Sequence, residues 1–288
     1  NGFGKSAGLV QVEELGTLET PIALTNTLNV GKVWDAMVDI VVEQCEQDGL
    51  EPMSINPVVG ECNDSRINQI QKRVVGADEV RQAFASASEE FEEGDVGAGA
   101  GTICYGLKGG IGSASRVIRI GEKEYTIGVL VQSNFGATED FVLNGESVGA
   151  KILDWKQEKD DMAASEEDKG SIMSILATDL PLTSRQLRRI LRRTGVGIAR
   201  TGGYTGHGSG EVMIGFTTAN RIPSGAEEEL LQIQAIPEHV INRAFLAAAE
   251  AEQEAILNSM TAAERTRGQA GELYYSLSEY LEDQDSKQ

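Results

Sequence analysis

Between Glu166 and Thr183 the chain reads EEDKGSIMSILATDLPLT, and its character changes at a single residue, Gly170. The preceding stretch, KQEKDDMAASEEDK from position 156 to 169, is charged and carries no apolar period, which is the pattern of an exposed linker. From Ser171 to Ala177 the residues are almost continuously aliphatic, the pattern of a buried strand. Such a strand commits the chain to a core built around it. It also leaves a question, because the strand opens with a small residue followed by a nucleophile. Gly170-Ser171 is either a junction between two elements or a place where the chain is cut.

The remaining composition narrows the class. The chain has 288 residues, 40% of them hydrophobic and 24% charged, which fits a soluble globular protein. No run of eighteen apolar residues is present, so no membrane span is expected. The sequence opens at Asn1 without a methionine, and an upstream segment is expected. The formal net charge of −20 opposes binding to nucleic acid, whose phosphates attract basic surfaces. Cys45, Cys62 and Cys104 form no CxxC pair, and the histidines are His207 and His239 alone, so neither a zinc site nor another metal or cofactor is expected. The cysteines read as buried thiols in a reducing cytoplasm.

Along the chain, strands and helices alternate without an obvious interdomain linker, which favours one α/β domain. TPIALTNTLNVGKVWDAMVDIVVEQCEQDG reads as a strand, a turn at Gly31 and a helix with Asn29 as N-cap and Gly49 as stop. ADEVRQAFASASEEFEEGD reads as a second helix ended by Gly94. Residues 97–116, GAGAGTICYGLKGGIGSASR, lack the spacing of a phosphate-binding loop, since Lys108 precedes two glycines instead of a Ser or Thr. Close backbone packing and turns around an internal site are the reading for this segment. A hairpin follows, from Arg116 to Gln132, turning at Gly121. DFVLNGESVGAKILD reads as a strand pair or a strand and turn. TSRQLRRILRRTG reads as a helix capped by Thr183, with Leu187, Ile190 and Leu191 inward and Gly195 as stop. Its arginines are read as a solvated face paired with local carboxylates. GEVMIGFTTAN is a strand, residues 238–258 an Ala-rich amphipathic helix, and the remainder a polar tail expected to fray.

Five segments, TPIALTNTLNVG, GAGAGTICYGLKGGIGSASR, VLVQSNFG, GSIMSILATDLPLTSRQLRRILRRTGVGIARTG and GHGSGEVMIGFTTAN, together resemble the DmpA family of self-processing aminopeptidases, which includes β-peptidyl aminopeptidases. The resemblance covers nearly the whole chain in order. It implies a single four-layer αββα sandwich of the kind shared with ornithine acetyltransferases, with the strand at Ser171 central, and a homotetramer. It implies cleavage of the Gly170–Ser171 bond by Ser171 itself, giving residues 1–170 and 171–288. Ser171 would then be an N-terminal nucleophile whose own α-amine, with a pKa of about 7.7–8.0, helps take the hydroxyl proton. By the same resemblance Ser209 and Glu211 stand beside the nucleophile, Asn134 stabilises the oxyanion, and Glu61 receives the free ammonium of the substrate. The substrates implied are small peptides, or aminoacyl amides and esters, with a free N-terminal amine. Ser65-Arg66 stands where the family often has an aromatic residue, which bears on pocket shape. Two alternatives remain open at this point. One is an acyltransferase of the ornithine-acetyltransferase type, whose nucleophile is threonine where this chain has serine. The other is a catalytically silent scaffold of the same fold.

Overall fold

The computed structural model describes residues 2–159, 170–223 and 229–287. After a short helix, α1 (Leu9–Leu15), strand β1 (Ile22–Asn26) leads through a 3-10 turn into α2 (Val30–Gln47). Val33, Met37 and Ile40 lie buried on one face of α2, as their spacing of three and four predicts. Gly31 falls inside the first turn of this helix instead of in a turn before it. Asn29 makes no capping bond, because its carboxamide donates to Asn26 Oδ1 at 2.8 Å. Gly49 does follow the helix in the left-handed conformation (φ 73°). Strand β2 (Val58–Cys62) pairs in parallel with β1, and α3 (Ala77–Ser86) packs on α2 through Val80. The helix stops at Ser86, short of the glutamates at positions 89, 90, 92 and 93, whose like charges repel at helical spacing. Gly94 therefore ends no helix, and its N–H and C=O exchange hydrogen bonds with Ile111 at 2.7 and 2.8 Å.

The glycine-rich segment folds into a tight hairpin, β3 (Ile103–Cys104) and β4 (Leu107–Lys108), before entering β5 (Ile111–Ile120). Gly121 (φ 63°) turns the chain into β6 (Lys123–Asn134), so the predicted hairpin is present and longer than its pattern suggested. A second small hairpin, β7 (Val142–Leu143) and β8 (Glu146–Ser147), turns at Asn144-Gly145, both with positive φ. The next element is a helix that the sequence reading did not find, α4 (Gly149–Glu158), anchored by buried Ile152 and Trp155. Lys156 is buried on it, donating to Gly106 O at 3.0 Å, so the expected linker does not begin at 156. The rest of that linker, from 160 to 169, lies outside the described residues.

Strand β9 (Ser171–Thr178) follows, then α5 (Ser184–Leu191), capped by the Thr183 hydroxyl accepting from Gln186 N at 3.2 Å. Arg185 and Arg189 of α5 pair with Glu238, and the guanidinium groups of Arg189 and Arg193 lie over Phe245. Gly195 does not stop the helical region, since it lies within α6 (Thr194–Arg200). Strand β10 (Val212–Thr217) and the long α7 (Asn242–Thr261) come next. The polar tail does not fray: it forms α8 (Leu277–Ser286), with Leu277 and Tyr280 buried and Trp155 Nε1 donating to Asp283 at 3.1 Å.

These elements stack in four layers. The larger sheet has the order β10-β9-β6-β5, with β9 parallel to β10 and antiparallel to β6, so the aliphatic strand lies inside the sheet. Alternation sends Ile172 and Leu176 of β9 toward α7, where they join Ala248, Ala251, Ala255 and Ile256. Small residues let α7 approach closely, and a Cβ on Gly112 of β5 would lie 2.1 Å from Ala255 O. Met173 faces the other way and packs with Val58 and Cys62 of β2. Beyond β2, Val59 meets Val33 and Met37 of α2. Three apolar interfaces thus separate α2/α3, the β1-β2 sheet, the larger sheet and α5–α7. Each fully buried aliphatic side chain contributes about 1.5–3 kcal/mol to holding the layers together. This is the αββα sandwich expected from the sequence, with the strand at Ser171 central.

Candidate active site

Ser171 is the first residue of β9 and stands directly across from Asn134, the last residue of β6. Directly opposed residues share a face of the sheet, and this face is the one that Met173 presents to β2. Ser171 and Asn134 therefore meet at the mouth of the space between the two sheets, 5% and 7% exposed. Carrying the β9–β10 register back from Val212–Met173 brings Gly210 beside Ser171, and Gly210 N donates to Gly170 O at 2.9 Å. The carbonyl on which Ser171 would act is thus already bound by a backbone amide. Gly170 is not among the glycines of positive φ. What the site requires of it is space: a Cβ there would lie 1.9 Å from Asn134 O.

Asn134 is held at both ends of its carboxamide. Oδ1 accepts from Ile103 N at 3.0 Å, and Nδ2 donates to Asn63 O at 3.1 Å. Among the described residues the second hydrogen on Nδ2 has no acceptor. Cys62, one residue before Asn63, donates its thiol to Ser171 O at 3.5 Å and to Gln132 O at 3.4 Å. Burial pushes this thiol far up from its ordinary range, so Cys62 acts as a small buried donor and not as a nucleophile.

Ser209 and Glu211 flank Gly210 and are both buried. Ser209 N donates to Gly206 O at 3.0 Å, while its hydroxyl has no hydrogen-bond partner among the described residues. Buried hydroxyls are ordinarily satisfied, so this one stands out. His207 is exposed and packs edge-to-face on Phe3, at 5.4 Å between ring centres, as befits a loop histidine.

Glu61, on β2, is buried, and its carboxylate accepts from Lys5 N at 2.9 Å and from the Thr27 hydroxyl. Three residues on, Asp64 accepts from Asn26 and Asn68, at 3.2 and 2.9 Å, and desolvation raises its carboxyl above the usual range. Ser65 and Arg66 lie in the turn after β2, held through their carbonyls by Gln269. Sequence reasoning missed the amides of Gly210, Ile103 and Lys5, together with Thr27, Cys62 and Asp64. Only the glycine-rich segment advertised that backbone would come close to the site. Among the described residues no cluster of His, Cys, Asp and Glu could hold a metal ion, and no helix is long and apolar enough to cross a membrane.

Comparison with known proteins decides the family. The profile of peptidase family S58 matches residues 1–274. The chain belongs to peptidase family S58. It is 37% identical over 276 residues to the β-peptidyl aminopeptidase BapA of Sphingosinicella xenopeptidilytica, covering 93% of this chain and 68% of that protein. A Pyrococcus horikoshii OT3 protein of known structure superposes with a TM-score of 0.88 at 46% identity, covering 98% of this chain and 77% of that one. The L-aminopeptidase D-Ala-esterase/amidase of Ochrobactrum anthropi, described as a variant of the Ntn hydrolase fold, superposes with a TM-score of 0.89 at 34% identity, over 98% and 77% of the two chains. The S58 protein described here is accordingly a serine aminopeptidase of the Ntn type, and the acyltransferase and silent-scaffold alternatives are not favoured.

Proposed function

We propose that this aminopeptidase matures by cutting its own chain between Gly170 and Ser171, and then releases N-terminal residues from small peptides, amides or esters through an acyl-enzyme on Ser171. The observation that carries the reading is the Gly170 carbonyl, held by the Gly210 amide at the start of the strand that Ser171 opens. In the first step Ser171 Oγ attacks the Gly170 carbonyl carbon, and negative charge develops on the oxygen already facing Gly210 N–H. The C–N bond breaks as the hydroxyl proton passes to the departing Ser171 nitrogen, leaving an ester between Gly170 and Ser171 Oγ, which water hydrolyses. Residue 170 becomes a carboxylate terminus, and Ser171 gains a free α-amine.

The same machinery then serves the substrate. Ser171 Oγ attacks the scissile carbonyl as its proton passes to the α-amine, whose pKa of about 7.7–8.0 keeps a useful neutral fraction near pH 7. The Gly210 amide and the uncommitted hydrogen of Asn134 Nδ2 stabilise the oxyanion. The proton returns to the leaving amine, and water releases the acyl group. Ser209 and Glu211 orient the nucleophile and relay its proton. Glu61, with Asp64 nearby in sequence, gives the region the negative charge that a substrate ammonium requires. The names of the relatives support β-amino-acid residues as well as α-residues in the released position. A homotetramer and a cytoplasmic setting complete the reading.

Intact-mass measurement tests the proposal. The wild-type chain is expected to give two species divided at 170–171, and Ser171→Ala a single uncut chain without turnover of an aminoacyl anilide. Cleavage of Ser171→Ala at the same bond would remove the hydroxyl from the mechanism.

A further inference from the structure

The segment from Gly97 to Gly112 has few side chains with which to hold its own shape, yet it supplies the Ile103 amide that fixes Asn134. Lys108 stands directly opposite Ile103 in the β3–β4 hairpin. Its side chain is wholly buried, at 0% exposure, and its ammonium donates to Gly99 O at 2.8 Å and to Gly109 O at 2.7 Å. Neither glycine has room to pack with a side chain of its own. A Cβ on Gly99 would lie 2.6 Å from Ile111 N, and one on Gly109 would lie 2.4 Å from the carbonyl of Ser133, the neighbour of Asn134. The lysine therefore fastens the start of the segment to its end, against the strand terminus that carries Asn134. Among the described residues no carboxylate forms a salt bridge with it. A buried cation held by carbonyls alone is costly, and hydrophobic residues of similar volume are the cheaper solution for packing.

We propose that Lys108 is a positioning residue for the reaction: by tying Gly99 to Gly109 it holds the Ile103 amide, and through it the Asn134 carboxamide, in the orientation that aims Nδ2 at the oxyanion. This rests on the oxyanion role given to Asn134 above. Burial lowers the Lys108 ammonium to about 8, and Asp95, on the loop before the segment, opposes that fall. Asp95 is the charged group that acts on it. Of the other surroundings, β3 presents Ile103 and the segment after α7 presents the Tyr275 carbonyl, which accepts the Lys108 backbone N–H at 2.8 Å. Above pH 8 the side chain loses its charge and one of its donors, both clamps weaken, and kcat falls. That fall is not unfolding. A base whose pKa is depressed in the folded state makes the protein more stable, not less, as pH rises from the folded value toward the unfolded one.

The experiment uses processed enzyme and measures kcat and KM for an aminoacyl anilide across the alkaline range. Asp95→Asn retains an oxygen to accept the Glu264 amide, which Asp95 Oδ1 holds at 3.1 Å, and removes the charge that supports protonated Lys108. It is expected to move the alkaline limb of kcat down by ~0.3 pH unit or more, with melting temperature and KM unchanged. Lys108→Met is expected to lower kcat about 10-fold or more with KM within about threefold. In an Asn134→Ala background the same change is expected to cost less than about twofold, since the group through which it acts is gone. An equal loss in both backgrounds overturns the proposal. So does an alkaline limb that Asp95→Asn leaves in place, which decides the matter even if Lys108→Met does not fold. Wild-type turnover in Asn134→Ala alone would strike the oxyanion assignment itself, and this proposal with it.

Discussion

A methyl group at position 170 would lie 1.9 Å from Asn134 O and 2.6 Å from Phe135 Cα, both backbone atoms that cannot swing aside. Gly170→Ala must therefore displace the Gly170 carbonyl from the Gly210 amide or push β6 away from β9. Overpacking of this kind costs about 1–3 kcal/mol. Self-cleavage of Gly170→Ala, followed by mass over time, is expected to slow at least ~10-fold, with a lower melting temperature before the cut. Once cut, position 170 leaves the site, so processed Gly170→Ala should turn over an aminoacyl anilide at close to the wild-type rate. Wild-type cleavage kinetics would show that the carbonyl does not need its present position. At this scale the sequence proposed Ser171, Asn134, Ser209, Glu211 and Glu61 through the family resemblance, and the structure buries all five and sets Ser171 across from Asn134. The Gly210 and Ile103 amides were not. A backbone N–H carries no residue signature, and only a register or a distance identifies it. The glycine at 170 stood out as a small residue, but the atoms that demand its smallness, Asn134 O and Phe135 Cα, lie on a strand distant in sequence.

Helix α7 carries a carboxyl group into the core. Glu252 is 0% exposed and accepts from Ser174 Oγ at 2.5 Å, on the face of β9 opposite Ser171. Burial raises its pKa from the ordinary 4.5 to about 8. An unfolded chain releases this proton near pH 4.5, whereas the folded chain keeps it until about 8. Between those values the folded state binds more protons. This group's contribution to stability is therefore full below about pH 4.5, falls by up to about 1.4 kcal/mol per pH unit as pH rises, and levels off above about 8. Glu252→Gln keeps the shape and cannot ionise. Denaturant unfolding from pH 5 to 8 is expected to show a flatter loss of stability in the variant, and an identical slope would mean that Glu252 does not hold its proton. Elements with strong patterns, such as β9, α5 and the β5–β6 hairpin, were legible. Helix α4 was not, because polar residues outnumber its anchors Ile152 and Trp155, and α8 hid in a tail whose buried contacts are few and spaced. Gly195 and Gly94 both read as stops, but α6 runs through Gly195, and α3 has already ended at Ser86 before Gly94 bonds to Ile111; within α6 it is Gly197 that close packing requires. A Cβ on Gly197 would lie 2.6 Å from Glu252 Cβ.

Across the whole molecule, the proposed cut divides the covalent chain but not the fold. Strand β9 lies between β6, from the first piece, and β10, from the second, and it pairs with β6 from Asn134–Ser171 to Ile127–Thr178. The main core draws Ile127, Val129 and Val131 from one side of the cut, and Ile172, Leu176, Ala248 and Ile256 from the other. The interface between the sheets is divided in the same way, with Val58 and Cys62 before the cut and Met173 and Ile214 after it. The order of motifs announced a sandwich, but this partition depends on which face of each strand meets which layer, and β1 and β2 are too short to reveal that by pattern. Neither piece can cover its own apolar faces. Residues 1–170 would expose one face of β6 that α7 normally covers, and residues 171–288 would expose the face of β9 that β2 normally covers and the edge that pairs with β6. Exposed strand edges beside apolar surface recruit other chains. Produced separately, the two pieces are therefore expected to be insoluble or unfolded by circular dichroism. Produced together, with the second piece beginning at Ser171, they should assemble into one native species that hydrolyses an aminoacyl anilide. A soluble, cooperatively melting 171–288 fragment would contradict this, because it would mean that β9 and α7 form a core without β6. The uncut Ser171→Ala chain supplies the control. If the cut adds only chain ends, its melting temperature should lie within a few degrees of the processed enzyme, since a change of about 1 kcal/mol moves a chain of this size by only ~2–4 °C.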